Sequence, residues 1–395
     1  MNAKIFQEHL EKELIPFWNR MADTENGGFY GYADDQAIPD KDSIKGCILN
    51  SRILWFYSAA YKLLKQPDLL NKAEQAFRFL ADHFYDSRFG GVFWSVKADG
   101  TPEDTTKHTY NQSFAIYALS EYYQVTGKKE ALNIAYSLYR TIENKCRDTE
   151  GYFEAFNCEF TPASNEKLSE NGVMAERTMN TLLHVLEAYT ELYRADYFQE
   201  VGNAIREILD LFKDKVYDSE RKICKVFFDK NYNTLIDLES YGHDIEASWL
   251  IDRACEVLDD TSYTEKMYPI IMGLAEGALE HGIDQDNNAM FNECENGVIS
   301  KKKVWWVQAE TVTGFYNAYS HKTDRTDYLH ASEKQWEYIQ KYVIDPKSGE
   351  WYEDISPDNT VAPGQALVHP WKCPYHNGRM YIEMINRLST ANKEV

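Results

Sequence analysis

Gly27-Gly-Phe-Tyr-Gly-Tyr32 decides the fold, because its pattern returns along the whole chain. Gly90-Gly-Val-Phe-Trp94 and Gly151-Tyr-Phe-Glu-Ala-Phe156 are close copies. Lys225-Val-Phe-Phe-Asp229, Asn288-Ala-Met-Phe-Asn292 and Gly349-Glu-Trp-Tyr352 are weaker ones. The interval is roughly 60 to 70 residues, the length of two helices with their connections. Glycine followed by aromatics reads as a turn into a short strand.

Before each turn lies an amphipathic stretch: Ile5–Met21, Leu69–Phe84, Glu130–Asn144, Phe198–Lys213, Glu265–Glu280 and Tyr328–Val343. Apolar residues at i, i+3, i+4 with charges between them predict helices with one face in solvent. After each turn comes a more apolar helix with an unusually polar start. These begin near Ser51, His108, Met179, Gly242, Trp305 and Pro374. Helices apolar for most of their length are surrounded by protein. Six outer and six inner helices with no capping repeat predict an all-α (α/α)6 barrel, with short β-hairpins in the connecting loops. Residues 1–395 then form a single catalytic domain, with the polar starts of the inner helices gathered around one cleft. The long polar segment Asn157–Gly172 is a candidate lid over it.

Composition narrows the partners. The formal charge of -21 disfavours nucleic acid and anionic membranes, both polyanions. No stretch approaches the roughly 18 apolar residues of a membrane span. The seven cysteines are scattered with no C-x-x-C pair, which fits free thiols in a reducing cytoplasm. Aromatic residues make up 14%, and such rings also stack on sugar faces. A cytoplasmic protein is expected, with a monomer plausible for a closed ring.

The most informative inner start is Ser240-Tyr-Gly-His-Asp-Ile-Glu, where Gly242 and Asp244 read as helix entry. His243 and Glu246 are three apart and share a face. The positive end of the helix disfavours imidazolium, so His243 stays neutral near pH 7. Arg52, among Leu49, Ile53 and Leu54, needs a carboxylate partner or a polar cleft. Asn180 and His184 share another face, and Tyr110 and Asn111 can hydrogen-bond hydroxyls. Of the neighbours Trp305 and Trp306, at most one is expected to line the cleft. Trp371 stands between Pro370 and Pro374, a braced platform just before His376.

No H-E-x-x-H, G-x-G-x-x-G or Walker loop is present, and neither metal nor cofactor is expected. Two chemistries remain open on residue types alone. Glycoside hydrolysis needs two opposed carboxylates, for which Glu246 and Glu310 are candidates. Proton transfer beside a carbonyl needs bases titrating near neutrality and a cation for the enediolate oxygen, and the abundance of histidine favours it.

Four segments carry a family likeness: Lys107-His-Thr-Tyr-Asn111, Ser240–Ala247, Val304-Trp-Trp-Val-Gln-Ala-Glu310 and Pro370–Met380. In combination they resemble the N-acylglucosamine 2-epimerase superfamily, and within it the branch acting on β-1,4-linked disaccharides. The likeness runs from Ile15-Pro-Phe-Trp-Asn through the last helix. It implies a cofactor-independent barrel enzyme that converts reducing-end glucose to mannose, with N-acylglucosamine 2-epimerisation or mannose isomerisation on the same barrel as the alternatives. It further implies that His243 and His376 are the acid/base pair and that His184 aids binding and ring opening. Arg52, Tyr110, Asn180, Glu246, Trp306 and Trp371 match pocket positions in that family.

Overall fold

The computed structural model describes residues 1–169 and 171–391, and Glu170, inside the expected lid segment, lies outside them. Twelve helical rods run through it, numbered here in chain order. The outer rods are α1 (residues 3–20), α3 (67–84), α5 (Lys129–Lys145), α7 (199–216), α9 (Thr261–His281) and α11 (326–343). The inner rods are α2 (Cys47–Leu64), α4 (Thr109–Thr126), α6 (Met179–Asp196), α8 (Tyr241–Leu258), α10 (Trp305–His321) and α12 (His376–Ala391). Each inner rod packs on the next, and α12 returns to α2, so the ring closes. The fold is the (α/α)6 barrel that the repeat predicts.

At the seam, α1 packs on α12, the Met1 ammonium pairs with Glu333 at 2.8 Å, and Trp18 Nε1 donates to the buried Glu350. Within α1, a π-helical turn at Leu10–Leu14 precedes Pro16, which has no N–H to give. Two sequence boundaries move. The helix expected near Ser51 already starts at Cys47, which places Arg52 in its second turn, and the last inner helix starts at His376 rather than Pro374. In the first case the extended Lys45–Gly46 strand sets the boundary, not the first polar residue.

The two ends of the ring are built differently. At the rear, inner helices end in a left-handed residue (Lys65, Gly127, Tyr197 or Asp259) and the next outer helix starts almost at once. At the front, the long outer-to-inner segments carry the Gly/aromatic turns. Each of these turns opens on an aspartate (Asp23, Asp86, Asp148, Asp218, Asp284, Asp345) whose carboxylate accepts the backbone N–H two residues on.

The short strands do more than form local hairpins. Lys45–Gly46 pairs with Ser95–Val96, Lys107–His108 with Ala155–Phe156, and Arg177–Thr178 with Phe227–Phe228. In every case the strand entering one inner helix joins the following repeat. Buried cations on these strands reach back to the turn aspartates: Lys45 to Asp23 at 2.7 Å, Lys107 to Asp86 at 2.9 Å and Arg177 to Asp148 at 2.7 Å, as does Lys303 of the strand Lys303–Val304 to Asp284 at 2.8 Å. Such pairs contribute register more than net stability. They hold the front ends of the inner helices at a set height.

Candidate functional site

The front ends enclose a cavity of about 370 Å³. Each inner helix places a residue there from its start: Arg52 on α2, Tyr110 on α4, Asn180 and His184 on α6, His243 and Glu246 on α8, Trp306 on α10, His376 on α12. Trp371 joins from the segment before α12. Two sequence candidates are not on the wall. Asn111 is fully buried and its Nδ2 donates to the Phe93 carbonyl at 2.9 Å, so it anchors a Gly/aromatic turn instead of facing the cavity. Glu310 stands one layer behind. The expectation for the tryptophan pair is also corrected: both Trp305 and Trp306 border the cavity, because both flank His376, at 5.4 and 5.6 Å between ring centroids.

Arg52 has no carboxylate partner among the described residues. Its Nη2 donates to the Tyr110 hydroxyl at 2.8 Å, and its guanidinium lies 4.1 Å from the Phe114 ring centre and 4.7 Å from that of Tyr375. A charge held by aromatic faces keeps most of its field for whatever enters the cavity. Asn180 likewise leaves its buried Oδ1 without a protein partner.

The three histidines differ in what stands behind them. His184 Nδ1 lies 2.8 Å from Glu187 Oε2, and His376 Nδ1 lies 2.7 Å from Glu310 Oε1. His243 Nδ1 meets only a hydroxyl, Ser240 Oγ, at 2.8 Å. The Trp306 ring bridges the outer two, 4.7 Å from His243 and 5.6 Å from His376. Glu246 does not pair with His243, although the two share a helix face. Sharing a helix face leaves the two side chains divergent, and Glu246 turns to Arg379 in the core.

Arg379 ties the carboxylates together. Its Nη1 donates to Glu187, and its Nη2 donates to Glu246 and, at 2.7 Å, to Glu310. Glu246, Glu310 and His376 thus converge in the manner of metal ligands, within 4.8 Å of one another. The guanidinium already occupies the carboxylate oxygens, so the donor set is that of an ion-pair knot. Glu187 is pulled down to about 2: burial opposes ionisation there, but Arg379 and His184 outweigh it. Glu246 is pushed up to about 8 by burial and then by Glu310, against the pull of Arg379. Both Glu310 oxygens accept, from Arg379, His376 and Trp249, so a proton shared by this pair belongs on Glu246.

Burial is also the first cause of the low proton affinity of the imidazoles. His243 is lowered to about 3, with His184 adding to the effect. His376 is lowered well below the usual range, with Arg52 and Arg379 contributing after burial. All three histidines are neutral at pH 7, the form that can take a proton.

At the mouth, Trp371 is 36% exposed and meets Trp94 edge-on at 5.8 Å. Lys167 and Leu168 of the polar segment reach the cavity rim. That segment is moored on both sides, Lys167 to Asp104 at 2.7 Å and Asn171 Nδ2 to Glu295 at 2.7 Å. Glu187, Trp249, Tyr375, Arg379, Ser240 and Trp94 are the contributors that sequence reasoning did not single out. The i, i+3 spacings of Ser240 with His243, His184 with Glu187 and His376 with Arg379 are the signals in the chain for three of them.

An (α/α)6 barrel with imidazoles and an unpaired guanidinium around one polar cavity holds the groups that proton transfer beside a carbonyl needs, those of a carbohydrate isomerase. The chain belongs to the N-acylglucosamine 2-epimerase family, whose model matches residues 27–377. It is 47% identical to a cellobiose 2-epimerase of Eubacterium cellulosolvens over 98% of each chain. Among solved structures it superposes on a sugar epimerase from a ruminal bacterium with a TM-score of 0.95, at 45% identity over 98% of each chain. A cellobiose 2-epimerase from Bacillus thermoamylovorans gives a TM-score of 0.93 at 43% identity, over 98% of this chain and 99% of that one. Among the described residues no helix is long and apolar enough to cross a membrane.

Proposed function

We propose that this enzyme is a cellobiose 2-epimerase, interconverting glucose and mannose at the reducing end of β-1,4-linked disaccharides such as cellobiose and lactose. The observation that carries the reading is His243 and His376 on separate inner helices, both against Trp306, with Arg52 free of any carboxylate among the described residues. The pyranose opens first, because only the aldehyde makes the C2 proton acidic, and His184 assists that step. One imidazole removes the C2 proton, leaving a planar enediolate. The other, carrying a proton taken up from solvent, gives it to the opposite face, which inverts C2, and the first imidazole releases its proton to solvent to reset the pair. Each positioned acid or base contributes about 10²–10⁴ in rate. Arg52 balances the enediolate oxygen, a role whose loss typically costs about 10²–10³.

Glu310 and Glu187 act through the histidines by holding their rings, and Asn180, Tyr110 and Glu246 meet sugar hydroxyls. Trp306 and Trp371 supply ring faces, and Trp371 at the mouth accommodates the second sugar. The segment 157–172 serves as the lid. The whole chain works as one catalytic domain, a cytoplasmic monomer, and gel filtration checks that state.

Incubation with cellobiose in D2O, followed by NMR, tests the reading. The expected product is glucosyl-mannose deuterated at C2. Free glucose would identify a hydrolase, and an unaltered spectrum a binding protein.

A further inference from the structure

We infer that Ser240 is a positioning residue that holds the His243 ring and, as a neutral partner, leaves protonated His243 a stronger acid than a carboxylate in the same place would. The inference rests on the epimerase reading above. Ser240 occupies the N-cap position of α8, where a serine hydroxyl normally accepts a backbone N–H from the first turn. Here the side chain caps nothing. It is buried at the cavity wall and turned to His243 Nδ1 at 2.8 Å. A capping bond normally stabilises a helix start, so its diversion to an imidazole points to a task at the site.

The contrast with the neighbours gives that task its chemistry. An ionised carboxylate only accepts, so behind His184 Glu187 holds a hydrogen on Nδ1 and favours imidazolium, while behind His376 Glu310 holds the ring but shares its charge with Arg379. A hydroxyl also accepts the Nδ1 hydrogen and orients the ring, but brings no negative charge. The groups facing His243 do not make up the difference. His184 on α6 opposes protonation and Glu310 on α10 favours it weakly. Glu246 on the same helix is engaged by Arg379, and His376 on α12 lies beyond Trp306. When Nε2 takes the C2 proton, Nδ1 keeps its hydrogen on Ser240 Oγ and the ring is a poorly stabilised cation. In the reverse direction the same Nε2 proton passes back to C2 and the ring returns to neutral. The proton count closes between His243 and C2, and Ser240 neither gains nor loses one.

The test compares Ser240→Ala, Ser240→Thr and Ser240→Asp with wild type, each checked for fold by circular dichroism. Wild-type exchange at C2 in D2O tests the underlying epimerase reading separately. Ser240→Ala is expected to lower kcat about 10- to 100-fold, the range typical of partners behind working histidines, with KM within about twofold. Ser240→Thr is expected to restore most of it. Ser240→Asp is expected to raise the His243 proton affinity by about one pH unit or more, read from the acid limb of kcat/KM or directly by NMR titration of the ring. Wild-type kcat in Ser240→Ala overturns the inference, as does failure of Ser240→Thr to rescue. An unmoved His243 titration in Ser240→Asp overturns the acid-strength part.

Discussion

The barrel has a polar hollow at each end, and only one of them is built for chemistry. The rear hollow, about 260 Å³, is lined by Trp55, Tyr117 and Trp249 together with Lys62, Glu121, Glu191, Arg194, Arg253 and Glu383. The front cavity is of similar size and also mixes tryptophans with ionisable groups. Neither volume nor polarity tells them apart. At the rear, charges answer one another: Lys62 meets Glu121 of the next inner helix at 3.1 Å, while Arg194 meets Glu191 and Arg387 meets Glu383, the latter at 3.3 Å, each within one helix. At the front, the wall holds neutral imidazoles and a guanidinium with no counter-ion among the described residues, while Glu187 and Glu310 stand behind His184 and His376. A catalytic end keeps its reactive groups unsatisfied toward the cavity and satisfied from behind.

Connections explain why the front received this arrangement. The rear turns are too short to bring in side chains. The front segments are long enough to deliver Trp371, Lys167 and Trp94 to the rim, and their strands fix the height of each inner helix start. Arg379 and Glu187 border the rear hollow, yet hold the front histidines from behind. The two ends therefore share one electrostatic wall.

The strongest way to break the comparison is at the front histidines. His243→Ala or His376→Ala is expected to abolish epimerisation, a loss of about 10²–10⁴ or more, with the helical circular dichroism unchanged. Arg52→Met should follow with about 10²–10³ lost from kcat, while cellobiose binding measured by calorimetry persists. Glu310→Gln keeps the shape behind His376 but removes its charge, and kcat is expected to fall about 10- to 100-fold.

A smaller effect concerns pH. His243 binds a proton only near pH 3 in the folded state, against an ordinary value of 6.5. As pH falls below 6.5 the unfolded chain takes up a proton that the folded one refuses, so this group costs stability progressively down to about pH 3. The slope is at most about 1.4 kcal/mol per pH unit, and below that because the ring edge opens to the cavity. Glu246, raised to about 8, acts in the opposite direction between pH 8 and 4.5, since there the folded state binds the extra proton. Urea midpoints of wild type and His243→Gln, compared from pH 7 to 5, isolate the histidine contribution: wild type is expected to lose ground to the variant as pH falls.

The mildest change is at the rear. Lys62→Met removes a half-exposed partner of Glu121, a carboxyl that burial already pushes toward its neutral form. Turnover is expected to stay within about twofold and stability to shift by less than about 1 kcal/mol. A large loss of turnover there would erase the distinction between the ends.

Much of this was legible in the chain. The recurrence of Gly27–Tyr32 counts the repeats, and helix period with apolar faces separates outer from inner, because burial on one side or on all sides writes itself into local sequence. That places Arg52, His184, His243 and His376 at the starts of inner helices, hence at one end. What stands behind each histidine is another matter. Asn111 shares a helix turn with Tyr110 yet points to a backbone carbonyl, and Glu246 shares a face with His243 yet serves Arg379. Spacing along a helix fixes which side chains are neighbours on its surface. The rotation of that helix against the others decides which neighbour meets the cavity and which meets a charge from another rod. That rotation is set by packing around the closed ring, and so the Glu187–Arg379–Glu310 wall exists only in the folded protein.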